Sequence, residues 1–297
     1  MRPTDNPDPH PASPTATAVE GVPRRALRAL YRPAAVTGTL TELAWVGAHA
    51  LMYPLGTRAG ELQPDPASRP GGSAAVRALF AADPLAARVP VVLVHGLVDN
   101  SSIFAVMRRS LRRRGFASVC SWNYSPLLRD VARGAEDLGV HIERICARTG
   151  HERVHVVGHS LGGLIARYHV QRQGGDRRVD SLVTLGTPHG GSVLAHALPT
   201  PLVRQLRPGS PVLRELAEPV GSCATRITAV YSDLDQLVLP TSAGRCDHPD
   251  LDARNVLVRD VGHMSLPIHR GVLDEVALTL AGTDRGTAAA TPVRAVA

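Results

Sequence analysis

The sequence predicts an α/β protein built on a mostly parallel, twisted sheet, with helices on both faces and a small cap or lid insertion. Three observations carry this. Six short apolar or β-branched runs recur between residues 91 and 258, stretches of helical period separate them, and one run turns into a helix through a serine flanked by glycines. The runs cover residues 91–94, 117–120, 154–157, 182–185, 227–230 and 256–258, and read as strands buried on both faces. Phe104, Met107 and Leu111 form the first helical stripe; the arginines of RRSLRRR stand near its C-terminus, where cations suit the helix dipole, and Gly115 ends it. Leu128, Val131, Ala135, Leu138, Ile142 and Ile145 form a longer stripe, Leu161, Leu164, Ile165 and Tyr168 a third, and Val272, Leu273, Val276 and Leu280 close the pattern.

The chain has 297 residues and is 44% hydrophobic, enough for a sizeable core, and 27 Gly plus 24 Pro fall short of a low-complexity composition. All 33 cations are Arg against 26 acids, a net charge of +7. With 3% aromatics and no zinc-finger or RNP-like motif, that charge lacks a base-reading surface, so no nucleic-acid partner is expected. The four cysteines fall in no metal-ligand or CxxC spacing, so neither structural zinc nor thioredoxin-type redox chemistry is expected; Cys223 and Cys246 flank a loop and are left as a candidate disulfide pair.

Along the chain, residues 1–23 read as a disordered tail without a secretory pattern. Residues 24–57 read as a helical segment: Leu40, Leu43, Ala44, Gly47 and Leu51 make one stripe, and flanking arginines suit it to packing on the domain or to peripheral membrane contact. Residues 58–87 read as a linker, 88–283 as the α/β domain with an insertion at 189–219, and 284–297 as a flexible tail. A cytoplasmic or membrane-peripheral location follows from this reading, with secretion as the alternative.

The chemistry lies at the carboxyl ends of the strands, where ligands bind in open α/β sheets. Gly158-His159-Ser160-Leu161-Gly162 follows the third run and opens a helix. A serine on so tight a turn needs glycines two residues either side, and holds its hydroxyl out at the sheet edge. The amide of Leu161, at the positive helix end, faces an oxyanion forming near Ser160. His95-Gly96 ends the first run, and the amide of Leu97 is the candidate for a second donor.

These pieces resemble the α/β-hydrolase lipases and esterases, in particular the small bacterial triacylglycerol lipases. The matching stretches are VVLVHGLVDN at 91–100, VHVVGHSLGGLIARY at 154–168, TLGTPHGGS at 184–192, YSDLDQLVLP at 231–240 and VGHMSLP at 261–267. The resemblance covers about residues 88–282. It implies an α/β-hydrolase fold and a triad in the order nucleophile, acid, base. Asp235 is then the acid, ahead of Gln236-Leu237-Val238, with Asp233 as fallback, and His263 is the base. His159 reads as packing and His189 as part of the site wall. The implied activity is hydrolysis of lipid or acyl esters through an acyl-enzyme, without cofactor. An acyltransferase or thioesterase using the same triad, and a non-catalytic binder of a lipid or partner, are the competing readings. In the insertion, Leu194, Leu198 and Leu202 are candidates for an acyl-chain wall or for packing onto the sheet, and Ser210-Pro211 for a helix start.

Overall fold

A computed structural model describes residues 37, 74–82, 86–97, 99–282 and 294–296. Among the described residues seven strands, β1 (Val91–Val94), β2 (Val119–Trp122), β3 (Val154–His159), β4 (Val179–Leu185), β5 (Arg226–Ser232), β6 (Ala253–Val258) and β7 (Arg294–Val296), form one sheet in the order β2-β1-β3-β4-β5-β6-β7. Every neighbouring pair is parallel. Parallel strands need crossovers, and the helices α1 (Ala74–Ala82), α2 (Ala105–Arg113), α3 (Val131–Thr149), α4 (Leu161–Arg172), α5 (Pro201–Arg204), α6 (Pro211–Glu215) and α7 (Arg270–Leu280) lie along or between them.

The two-residue period of a strand sorts the core into two layers. Val92 and Val94 of β1 face a cluster with Leu138 and Ile142 of α3 and Leu164 and Ile165 of α4. Val91 and Leu93 face the opposite cluster, with Met107 and Leu111 of α2 and Val272 and Val276 of α7. All four β1 side chains are fully buried, as a sheet covered on both faces requires.

Local signals bound the helices. The side chain of Asp130 accepts a hydrogen bond from Arg133 N at 3.0 Å to cap α3, and Gly150, at φ 72°, ends it. Arg112 and Arg113 stand in the last turn of α2, followed by Gly115 at φ 105°. Ser210 caps α6, accepting from Leu213 N, with Pro211 in the first turn.

Three segments differ from the sequence expectation. β2 lies two residues later than the apolar run at 117–120, because pairing with β1 runs from Val119 to Trp122. The stretch read as a linker contains α1: Val76 is fully buried and Phe80 meets Phe116 edge to face at 5.0 Å, so an apolar pair one helical turn apart docks this helix. Within the stretch read as a flexible tail, the backbone of Arg294–Val296 pairs with Val256–Val258 of β6. The expectations for residues 1–23 and for membrane contact by residues 24–57 lie outside the described residues, Thr37 apart. Among the described residues no helix is long and apolar enough to cross a membrane. All four cysteines are free thiols.

Candidate active site

Ser160 is the residue between β3 and α4, at φ 52° and ψ −122°. A non-glycine residue in that region stores on the order of 1–3 kcal/mol and persists only where the surroundings over-determine it. Here they do. Ser160 N donates to Leu185 O at 2.9 Å, and Ser160 O accepts from Gly163 N at 3.1 Å and from Thr187 Oγ1 at 3.0 Å. A Cβ on Gly162 would stand 2.3 Å from the carbonyl oxygens of Val94 and His95, and one on Gly158 would stand 2.4 Å from Gly163 Cα. The glycines are therefore the condition for the turn's closeness to β1 and for its own folding back. Leu161 opens α4 directly behind the serine, so its amide belongs to the unsatisfied donors of a helix N-terminus.

The two aspartates after β5 have different tasks. Asp235 is 5% exposed and its Oδ2 lies 2.8 Å from His263 Nδ1, while its Oδ1 accepts from Leu237 N at 2.8 Å and Val238 N at 2.9 Å. Burial disfavours its charge, but the His263 imidazole and these hydrogen bonds outweigh burial and hold the carboxyl below its ordinary pKa. Asp233 instead accepts from Asp260 N at 2.8 Å and lies 3.6 Å from Arg259. It pins the left-handed turn at Asp260, φ 60°, that follows β6. Ser232 Oγ donates to Val261 O, tying the end of β5 to the loop carrying His263. The Asp235–His263 pair lies over Gly186, at φ 55°, where a Cβ would come within 3.0 Å of Asp235 Oδ2 and 3.1 Å of His263 Nδ1. The imidazole and carboxylate thus occupy the space that a glycine at the end of β4 leaves empty.

His159, expected only to pack, holds the loop that carries His263. It is 1% exposed, its Nε2 donates to the main-chain oxygen of His263 at 3.1 Å, and the two rings lie 4.8 Å apart. Burial, reinforced by His263, pushes its pKa down to about 4, against the opposing pull of Asp99, so it stays neutral at pH 7. The buried Asp99 carboxylate stands 3.9 Å from His159 Nδ1 and accepts from Asn100 N through its other oxygen. A His next to the elbow serine carries no periodicity that announces this task; only the approach of the loop after β6 reveals it. His189 is likewise buried and neutral, its pKa pushed well below the usual value by burial and by Arg167. Its ring joins Thr184 Oγ1 at 2.9 Å to Arg167 at 3.3 Å.

Residues 89–211 match the family model described as the alpha/beta hydrolase fold. The chain has the α/β-hydrolase fold. Over 132 residues it is 38% identical to a triacylglycerol lipase of Burkholderia plantarii, an alignment covering 41% of this chain and 36% of that one. It is 37% identical over 119 residues to a triacylglycerol lipase of Pseudarthrobacter phenanthrenivorans, covering 37% and 36%. The chain thus spans just over a third of the length of these relatives. A solved Bacillus licheniformis lipase in its mature form shares the fold at a TM-score of 0.56 and 18% identity, covering 75% of this chain and 99% of that one.

In this fold residues 189–219, expected as an insertion, form a set of short helical turns anchored to α4. Leu202, Val203, Leu206, Val212, Leu213 and Leu216 are buried in the cluster that α3 and α4 share. Arg167 and Gln171 donate to Leu216 O at 3.0 and 2.8 Å, and Arg172 donates to the carbonyls of Glu215, Glu218 and Pro219. Of the three candidate wall residues, Leu202 therefore packs inward, while Leu194 and Leu198 are 42% and 54% exposed. Leu97, the candidate second donor, is half-buried in the loop after β1. Among the described residues no group of three or more His, Cys, Asp or Glu side chains could hold a metal ion.

Proposed function

We propose that this chain is a serine-dependent carboxylic ester hydrolase, a lipase or esterase that cleaves lipid or acyl esters through an acyl-enzyme. The observation that carries the reading is the pairing of a strained serine elbow with a buried Asp235–His263 hydrogen bond at the same edge of the sheet. With Nδ1 paired to Asp235, the Nε2 of His263 takes the proton of Ser160, whose oxygen attacks the ester carbonyl. The amides of Leu97 and Leu161 receive the tetrahedral oxyanion, and His263 returns the proton to the leaving alcohol. Water, deprotonated by His263, then releases the acid. Asp235 keeps the imidazole in the required tautomer and favours its charged form, consistent with a carboxyl that stays ionised. The exposed Leu194 and Leu198 suit contact with an apolar acyl chain. The lipase relatives support a lipid ester as the substrate class.

The test is a series of nitrophenyl esters from short to long acyl chains on the wild type and Ser160→Ala, with fluorophosphonate labelling of both. The expected result is an adduct at Ser160 and at least a ~1,000-fold loss of kcat in the variant, since only donor and binding effects remain without the nucleophile. A variant that keeps most of the activity overturns the reading.

A further inference from the structure

The loop after β1 has a third participant beside the serine and its helix. Val94 pairs with Trp122 on one side and with Gly158 on the other. Continued two residues toward the carboxyl edge, that register sets Tyr124, Gly96 and Ser160 in one row across the sheet, with Gly96 in the middle. Contacts agree with the row. A Cβ on Gly96 would stand 3.1 Å from Ser160 Cβ, and the Tyr124 hydroxyl donates to the carbonyl oxygen of Gly96. His95 adds to the same oxygen: its Nδ1 lies 3.0 Å away, and its ring stacks on that of Tyr124 with centroids 4.2 Å apart. Tyr124 is 9% exposed and His95 3%, so water competes little for that carbonyl.

In a trans peptide the carbonyl of one residue and the N–H of the next point in opposite directions. A Gly96 carbonyl held toward Tyr124, on the β2 side, turns the Leu97 N–H to the β3 side, where Ser160 stands. We propose that Tyr124 is a positioning residue that orients the Leu97 amide as an oxyanion donor. The proposal rests on the ester-hydrolase reading and adds to it a residue outside the matched triad. Tyr124 acts by fixing one peptide plane. Preorganisation of that kind matters because a donor that must rotate into place during the reaction loses most of its electrostatic advantage.

The experiment uses the full chain and Tyr124→Phe, which removes one oxygen and leaves the ring stack. Active sites are counted by fluorophosphonate titration, so kcat is expressed per folded, competent molecule whatever the yield of the variant. The expected result is a fall in kcat of about tenfold, short of the ~100- to 1,000-fold for losing a donor outright, with KM within about twofold. Inhibition by an alkylboronic acid, whose tetrahedral adduct on Ser160 places an oxygen in the donor site, weakens by the same factor. An unchanged kcat, a rise in KM alone, or a lower kcat with full boronate affinity overturns the assignment to Tyr124. A wild type that neither hydrolyses the esters nor takes the label overturns the ester-hydrolase reading itself, and this inference with it.

Discussion

The carboxyl edge of the sheet and the insertion at 189–219 are adjacent in the fold and are held by different forces. At the edge, buried polar groups meet specific partners: Asp235 meets His263 and two amides, His159 Nε2 the His263 carbonyl, and the Gly96 carbonyl Tyr124. The insertion is held by six buried leucines and valines and by arginines and a glutamine that bind its carbonyls from α4. Apolar burial is additive and undirected, so the insertion tolerates changes of detail; a buried hydrogen-bonded pair works in one geometry only. The edge should therefore lose chemistry before stability when it is altered, and the insertion stability before chemistry.

The sharpest break between the two comes from the paired aspartates. Asp235→Asn should lower kcat by roughly 1,000- to 10,000-fold, because the amide leaves the imidazole in the wrong tautomer, while Asp233→Asn should stay within about threefold. Steady-state kinetics on both variants decide which carboxylate is the acid, and equal losses would show that the geometry around His263 does not govern the reaction. Next in size is Leu216→Ala in the insertion, where a side chain 1% exposed is emptied. It should cost about 2–4 kcal/mol in urea unfolding, with kcat per titrated site changed less than about threefold. A large loss of kcat at unchanged stability would instead make the insertion part of the catalytic apparatus.

The smallest effect is a pH dependence. His159, with its folded pKa pushed down to about 4 chiefly by burial, binds no proton between that value and 6.5, whereas the unfolded chain does. The unfolded state thus holds more protons in this window, and stability must fall as pH drops through it. His159→Gln should flatten, without abolishing, the fall in urea midpoint between pH 7 and 4.5, since His189 is held neutral by the same cause. An unaltered slope would mean that His159 does not titrate on unfolding as its burial requires.

The elbow was legible because its demands are local: a serine at positive φ needs glycines within two residues, and the sequence shows them on either side of Ser160. Alternating strand and helix periods were legible for the same reason, each element carrying its own apolar spacing. Helix α1 escaped because the docking of Val76 and Phe80, set in an alanine-rich stretch, depends on Phe116 and α7, distant in sequence. Asp233 and Asp235 could be ordered only by resemblance, since two carboxylates two residues apart offer the same chemistry until a histidine 28 positions away approaches one of them.

By itself, then, the sequence determined the layered α/β architecture, the serine on its turn and the short list from which acid and base are drawn. Tertiary structure alone decided that Asp235 takes His263 while Asp233 takes Asp260, that His159 holds the His263 loop rather than filling space, and that Tyr124 reaches Gly96. Backbone periodicity and turn sterics act over a few residues and are written in neighbouring letters. A hydrogen bond between side chains on separate strands depends on sheet register, which exists only once the strands have paired.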